Sequence, residues 1–272
     1  MTKIASIQLC QLRLRQRAFT LIELLVVISV IGIMAAIGIP ALKGMAGSND
    51  ISAATRQMLD DLAFARSKAI NERTTVYMVF VSGSILTQPW SPTEQKEIAR
   101  YANLQFTSYA LYAERSLGDQ PGRHHPRFLT DWRTMPDGTF IPTNKFDVTV
   151  AEVPARLAIP TFFRPFTHID LPFPTATSPK RIKLPYIAFD YQGRLYQKGL
   201  RVPEDVIVPI VKGSIVYPQE QRDNLLAGSL EAAEVIETPK GNATNNPSIR
   251  IDWLTGRARM VRPEKVDYVR LN

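Results

Sequence analysis

One carboxylate, Glu23, lies at the start of an otherwise apolar stretch of the chain. The nineteen residues that follow it, 24–42, carry no charge, and an uncharged stretch of that length can span a bilayer as a helix. An ionised side chain in such a segment costs about 2.5–3.5 kcal/mol on insertion scales. A segment that served only as an anchor would carry an apolar residue there. Glu23 is therefore predicted to have a function, which is to pair with a partner that this short segment does not itself supply.

The residues before this stretch are basic. Residues 1–18 contain four basic side chains and no acid, which predicts a cytoplasmic N-terminus and a C-terminal bulk on the other side of the membrane. A secretory signal would have its small-residue cleavage site after the apolar stretch, where the pattern is poor. The better small-residue junction, Ala18-Phe19, precedes it. Cleavage there removes the basic leader and keeps the apolar helix.

The segment 17–42 resembles the class III leader and N-terminal helix of type IV prepilins and type II secretion pseudopilins. The features that coincide are the basic leader, the aromatic residue after the junction, the glutamate four residues later, and Pro40. One residue departs from the family, which has glycine before the cut where this chain has Ala18. The additional methyl group predicts slower processing.

The resemblance implies roles for individual residues. A membrane peptidase that is also an N-methyltransferase would cut between Ala18 and Phe19 and methylate the new amine of Phe19. Glu23 would then pair with the amine of a neighbouring pilin or pseudopilin, and Pro40 would kink the helix. The other implied partners are the inner-membrane assembly platform and the lipid bilayer. The alternative is a plain signal-anchor in which Glu23 reaches the membrane interface.

The residues after the apolar stretch predict a second helical portion. Gly44 and Gly47 indicate a flexible or broken stretch, and the polar residues 48–50 provide N-cap chemistry. Up to residue 73, apolar residues recur at helical spacing and predict an amphipathic helix packed on a sheet; they are Ile51, Thr55, Met58, Leu62, Ala65 and Ala69, with Leu59 and Ile70 beside them. The residues expected to face water are Arg56, Asp60, Arg66 and Lys68.

The rest of the chain predicts a β-rich head. The strand candidates are 74–81, 104–112, 186–190 with 194–197, 206–211, and 248–254 with 257–261. Gly193 and Gly256 lie at the turns of two predicted hairpins, and Pro209 interrupts one strand. The segments 114–147 and 152–183, rich in proline, glycine and charge, are expected to be long insertions.

Residues 62–77, which contain the end of the predicted helix and the start of the first strand, resemble the same region of the H-type minor pseudopilins and related minor pilins. The last predicted hairpin also resembles the C-terminal end of these proteins. The fold class expected is α+β and pilin-like: a long N-terminal helix, half membrane-spanning and half amphipathic, packed on a C-terminal antiparallel β-sandwich head with long insertions. The domains expected are a cleaved leader (1–18), a transmembrane or filament-core helix (19–42), its amphipathic continuation (43–73) and a periplasmic head (74–272). The protein would pass once through the bacterial inner membrane and enter a periplasm-spanning filament.

Composition and spacing argue against catalysis. The only cysteine, Cys10, lies in the leader, so the exported part has neither a disulfide nor a thiol nucleophile. His124, His125 and His168 lack the spacing of metal-binding motifs, and no nucleophile elbow or phosphate-binding loop is present. These observations predict no enzyme, no cofactor and no metal. A membrane-anchored enzyme whose site is formed by the insertions remains as an alternative.

Basic residues suggest a second alternative. The net charge is +8, of which the leader supplies four charges, so the processed chain is near +4. Basic residues that could hold phosphates through charge are Lys180, Arg181, Lys183, Arg257, Arg259 and Arg262. The same basic residues could also simply form a solvated surface.

The sequence thus favours a minor pseudopilin or minor pilin, and the alternative is a minor pilin that binds DNA in natural transformation. These residues do not distinguish a subunit of a secretion system from a subunit of a pilus or of a DNA-uptake system.

Overall fold

The computed structural model describes residues 20–116, 118–120, 124–147, 161–198, 204–217, 227–228, 231–240, 244 and 246–262, without the side chains of residues 35–49. The predicted leader and the cleavage residues Ala18 and Phe19 lie outside this description. The chain divides into two compact units, Met1–Ala46 and Gly47–Asn272. The second unit contains the head.

The described residues form two α-helices and thirteen strands. The helices are α1, Leu21–Glu72, and α2, Pro92–Ala102. The strands are β1 Val76–Phe80, β2 Ser108–Ala113, β3 Arg127–Phe128, β4 Arg133–Thr134, β5 Thr139–Phe140, β6 Thr167–Pro172, β7 Arg181–Phe189, β8 Leu195–Tyr196, β9 Val206–Pro209, β10 Val211–Val216, β11 Glu234–Glu237, β12 Ser248–Ile251 and β13 Ala258–Val261. The class is α+β, with an N-terminal helix and an antiparallel, sheet-rich domain after it.

The helix α1 is continuous over 52 residues and passes Pro40, Gly44 and Gly47 without ending. The predicted N-cap of a second helical portion at residues 48–50 is therefore wrong, because those residues are themselves helical. A glycine inside a helix costs about 1 kcal/mol relative to alanine, and helix propagation through the neighbouring residues outweighs that cost. The kink at Pro40 stays a prediction.

One face of α1 is buried within the unit Gly47–Asn272. Most of the residues predicted for this face are confirmed, because Thr55, Met58, Leu62, Ala65 and Ala69 are at most 2% exposed. The first position of the predicted face, Ile51, and its neighbour Leu59 are half-buried, and Ile70, also beside the face, is 38% exposed. The helix therefore serves as one layer of the head.

A seven-stranded antiparallel sheet forms the centre of the head. Its main order is β3-β2-β1-β7-β6, with β4 paired to β2 and β8 paired to β7. All residues of β1 and β2 are buried. Strands that are buried on both faces need a covering layer on each side, and this sheet has two.

Two apolar cores lie on the two faces of the central sheet. Met78 and Phe80 of β1 belong to the core that contains the buried face of α1, whereas Tyr77 and Val79 belong to the core that contains Ile98 of α2. Consecutive side chains of a strand point to opposite faces. The two helices therefore cover opposite faces of the sheet.

Two smaller sheets complete the layer on the α1 side. Their orders are β11-β10-β5 and β13-β12-β9. Pro209 ends β9, and the chain enters β10 in the other sheet after Ile210, which confirms the predicted interruption. Val208, Ile249 and Ile251 join the core that α1 covers.

The predicted hairpins are confirmed. The strand β7 pairs with β8, and β12 pairs with β13. Gly193 and Gly256 have φ of +77° and +62° at their turns, a conformation that glycine adopts without steric cost. The strand predicted over 104–112 begins only at Ser108, because Phe106 has φ of +64° and turns the chain before it.

Some elements were not predicted. The described parts of the expected insertions contain β3, β4, β5, β6 and the start of β7, of which three are two-residue strands too short to show alternation. The helix α2 was also missed. Its signal was present, because Ser91 and Glu94 form a capping box with Pro92 at the first helical position, and this combination is typical of a helix N-terminus.

The C-terminus of α1 ends in a Schellman motif with arginine where glycine is usual. Arg73 has φ of +49°. Its N–H donates to the Ile70 carbonyl at 3.4 Å, and the Thr74 N–H donates to the Ala69 carbonyl at 3.2 Å. A left-handed conformation costs a residue other than glycine about 1–2 kcal/mol.

We predict that Arg73→Gly raises the free energy of unfolding by about 0.5–1 kcal/mol, because glycine adopts this conformation without strain. The measurement is urea denaturation of the full chain in detergent. Ser67→Gly is the matched control in the exposed helix interior and should lower the same quantity by about 0.5 kcal/mol. A loss of stability in Arg73→Gly would contradict the prediction.

Candidate functional site

The helix α1 begins with a capping box. The N–H and the hydroxyl of Thr20 donate to Oε2 of Glu23 at 2.9 and 2.8 Å. In return, the Glu23 N–H donates to Oγ1 of Thr20 at 3.2 Å. These bonds satisfy N–H groups that a helix N-terminus otherwise leaves without partners. The carboxylate also lies at the positive end of the helix dipole.

This geometry corrects the expectation that the segment supplies no partner for Glu23. Thr20 is such a partner, and it lies three residues away in the same chain. The available sequence signal was Thr20-x-x-Glu23 before an apolar run, which is the signature of a capping box. Both groups of Thr20 are neutral, so the cap leaves the negative charge of Glu23 in place.

The helix surface after this cap is apolar and exposed. Its large apolar side chains from Leu21 to Met34 range from 49% exposed at Val27 to 82% at Leu21. Exposed apolar surface of this extent marks a region that interacts with protein or lipid. Among the residues that the structure describes, no helix combines the length and the apolar character needed to cross a bilayer.

A buried polar cluster lies where α1 packs on the central sheet. Asp61, which is 5% exposed, accepts a hydrogen bond of 2.6 Å from the Tyr109 hydroxyl and forms an ion pair with Arg133. Gln57 donates to the same hydroxyl and to the Thr134 carbonyl, both at 3.0 Å. Burial and the bond to Asp61 raise the pKa of Tyr109, so its hydroxyl stays a donor. Asp61 was not predicted, although an acid inside an apolar helix face was the available signal.

Arg66 connects α1 to two hairpin turns. Its Nε donates to the carbonyl oxygens of Gly193 and Thr255 at 3.1 and 2.8 Å. The turns lie so close together that a Cβ on Gly256 would stand 2.0 Å from the Gly193 oxygen. The expectation that Arg66 faces water is therefore wrong, because its guanidinium satisfies two carbonyl groups of the head.

The first group of predicted phosphate-binding residues is engaged within the protein. Lys180 Nζ lies 4.3 Å from the centre of the Trp90 ring. Arg181 donates to the Asp170 carbonyl at 2.6 Å. Lys183 is directly opposite Asp170 in the β6–β7 register, and opposite charges in such cross-strand positions attract each other.

The second group of predicted phosphate-binding residues follows the β12–β13 turn. Arg257, Arg259 and Arg262 are exposed on and beside β13. Arg257 follows Gly256, which contacts the turn after β7, whereas Arg181 begins β7. The length of that strand separates Arg181 from the turn beside Arg257 by about 26 Å at 3.3 Å per residue. The structure therefore does not bring Arg181 and Arg257 together.

The histidines do not meet at one site in the described part of the chain. His125 Nδ1 lies 2.7 Å from Oδ1 of Asp119. Hydrogen bonds from the Ser116 and His125 N–H groups hold the pKa of Asp119 at about 2. His124 is exposed, and His168 lies on β6. Among the described residues, no group of three or more His, Cys, Asp or Glu is placed to hold a metal ion.

Comparison with known proteins adds one finding at the N-terminus. Residues 13–39 match the prokaryotic N-terminal methylation motif. This match supports a type IV prepilin-like family, whose members are structural subunits that a prepilin peptidase processes and that assemble with other pilins. The matched range includes Ala18, Phe19 and Glu23. No curated protein and no solved structure matches the chain.

We predict that Arg66→Ala lowers the free energy of unfolding by about 1–3 kcal/mol, because two carbonyl groups lose a charged donor. The measurement is urea denaturation of the full chain. Arg56→Ala removes the same side chain from an exposed position of the same helix, and it should change stability by less than about 0.5 kcal/mol. Equal effects of the two substitutions would show that Arg66 does not hold the turns.

Proposed function

We propose that this chain is a minor structural subunit, of the H-type minor pseudopilin kind, in a type II secretion pseudopilus or a type IV pilus. The methylation motif at residues 13–39 supports this role, as does a long helix followed by an antiparallel, sheet-rich head. The main support for the proposal is the position of the Glu23 carboxylate in the first turn of α1, where it accepts a hydrogen bond from the Thr20 N–H. The subunit would then have a mechanical role in the filament.

The proposed topology is a single pass through the inner membrane. Residues 19–42 form the span, residues 1–18 are a cytoplasmic leader that is removed, and residues 74–272 form a periplasmic head. The uncharged stretch after Glu23 and the basic leader before it support this orientation. The partners are the prepilin peptidase, the assembly platform, the lipid bilayer and the other subunits of the filament.

The proposed pairing follows from electrostatics. Cleavage between Ala18 and Phe19 creates a cationic amine on the residue before Thr20. In a medium of low dielectric constant, an amine and a carboxylate cost less when they are paired than when they are apart. Glu23 lies in the first turn of α1, four residues after the residue on which cleavage would create the amine. Pairing with the amine of a neighbour would also set the axial offset between two subunits.

We predict that co-expression with an active prepilin peptidase shortens the chain at Ala18/Phe19. Mass spectrometry of the purified chain should show a new N-terminus at Phe19 that carries a methyl group. Ala18→Gly should be processed faster, because it removes the methyl group next to the cleaved bond. An inactive peptidase is the control. A full-length chain in the presence of the active enzyme, for both residues at position 18, would contradict the proposal.

We predict that Glu23→Gln and Glu23→Leu both impair incorporation into filaments. Glutamine retains the cap, because its amide oxygen accepts the same hydrogen bonds, but it has no charge. Leucine removes the cap and the charge together. The measurement is the amount of the chain in sheared filament fractions, relative to the amount in the membrane.

The two variants separate the cap from the charge. Loss of incorporation in both variants supports charge pairing by Glu23. Normal incorporation of Glu23→Gln, with loss only in Glu23→Leu, would show that Glu23 serves as a helix cap alone. Membrane insertion should be normal in both variants, because neither introduces a charge.

A further inference from the structure

The strand β13 forms one edge of the sheet β13-β12-β9, and in the described part of the chain no strand pairs with its outer side. The Asp252 N–H donates to the Arg257 carbonyl at 3.1 Å, so these two residues form a hydrogen-bonded pair. Such pairs alternate with non-hydrogen-bonded pairs along an antiparallel ladder. The N–H and C=O groups of Ala258 and Met260 therefore point away from β12, toward the open side.

The apolar layer of this sheet ends on β13. Ile249 and Ile251 of β12 are fully buried and lie directly opposite Met260 and Ala258. Residues in directly opposite positions share a face of the sheet, so Met260 faces the side of the core that α1 covers. Met260 is nevertheless 59% exposed. One additional strand beside β13 would cover it.

The other face of β13 is basic. Arg257 and Arg259 alternate with Ala258 and Met260, so their side chains point to the opposite face, and both are exposed. Arg259 lies directly opposite Arg250 of β12. Like charges in this position repel each other, and an anionic group beside them would relieve the repulsion.

The acids beside this sheet do not fully neutralise its arginines. The strands β9, β12 and β13 contain no acid. Asp205, which precedes β9, forms an ion pair with Arg250. Asp252, which follows β12, accepts hydrogen bonds from the N–H and the hydroxyl of Thr255 at 2.7 and 2.8 Å. With Arg262 after β13, the strands and the residues that flank them carry four arginines and two aspartates, so this edge has a surplus of positive charge.

We propose that β13 binds an extended segment of another protein in which apolar and acidic residues alternate. The backbone of the segment would continue the ladder through Ala258 and Met260. Its apolar side chains would cover Met260, and its carboxylates would lie beside Arg257 and Arg259. This inference goes beyond the subunit role proposed above and does not require processing of the leader.

The chemistry of the edge favours this occupant over two others. A second copy of β13 would bring arginines beside arginines, and like charges in neighbouring strands are destabilising. A nucleic acid would contact the arginines through its phosphates, but it does not continue a β-ladder. Binding should therefore depend on the backbone of β13 as well as on its charge.

The first test measures the binding of two short peptides to the full chain in detergent by fluorescence anisotropy. One labelled seven-residue peptide alternates valine and glutamate, and the other alternates valine and lysine. The glutamate peptide should bind saturably and at least about tenfold more tightly than the lysine peptide. No binding of the glutamate peptide, or equal binding of the two peptides, would overturn the proposal.

The second test removes one N–H group from the edge. Met260→Pro deletes an N–H that points away from β12, a position in which an edge strand tolerates proline. It should weaken binding of the glutamate peptide about tenfold or more. Met260→Leu is the matched control, which keeps the N–H and an apolar side chain and should bind within about twofold of the unchanged chain. Undiminished binding by Met260→Pro would contradict the ladder.

The same question can be asked of the peptide without changing the protein. N-methylation of every second residue removes the N–H groups from one edge of an extended peptide. Two glutamate peptides that are methylated in the two alternate sets therefore differ in the edge that is blocked. One of the two should bind and the other should not. Equal affinities of the two peptides would contradict pairing through the backbone.

The third test reverses the charge of the edge. Arg257→Glu with Arg259→Glu should make the lysine peptide bind more tightly than the glutamate peptide. Arg56→Glu with Arg100→Glu is the matched control, because it changes the net charge equally at exposed positions of α1 and α2. This control should keep the preference for glutamate. An unchanged preference in the β13 variant would show that its arginines do not select the partner.

Two results would assign the edge to another occupant and overturn the proposal. The first is no peptide binding, together with retardation of a single-stranded oligonucleotide that Arg257→Glu with Arg259→Glu abolishes and Met260→Pro leaves unchanged. The second is peptide binding only by a chain that lacks residues 263–272, which would assign the edge to those residues. All peptide measurements use the unprocessed chain, so their failure leaves the proposed subunit role intact.

Discussion

The structure depends on the contact between the second half of α1 and the central sheet. Met58, Leu62 and Ala65 enter a core that also receives alternate residues of β1 and the inner faces of both small sheets. Two polar contacts secure this packing at different heights of the helix: Asp61 bonds to Tyr109, and Arg66 bonds to the two hairpin turns. The helix is thus a structural layer of the head, and it is bound there by polar and apolar contacts together.

The same helix has a different character in its first half. Its apolar residues up to Met34 are exposed, and the motif match at residues 13–39 supports a prepilin-like family. The capping box gives Glu23 a local role that does not require a second subunit. Its charge nevertheless remains, because Thr20 contributes only neutral donors. A local cap and a proposed pairing between subunits are therefore compatible uses of one carboxylate at one helix end.

Arg66 also orders the surface of the head beside the end of α1. By bonding to both turns, it orders the backbones that expose Tyr191 and Leu254.

The sequence by itself determined the features that depend on neighbouring residues: the buried face of α1, the strand β1, the two glycine turns and the break at Pro209. Periodicity and turn chemistry are local properties, and the capping boxes of both helices were equally readable in the sequence although they were not predicted. Only the tertiary structure decided the roles of Asp61 and Arg66, because their partners Tyr109 and Thr255 are 48 and 189 residues away along the chain. The same holds for the two-residue strands and for the separation of Arg181 from Arg257, since no local pattern specifies which distant segments become neighbours.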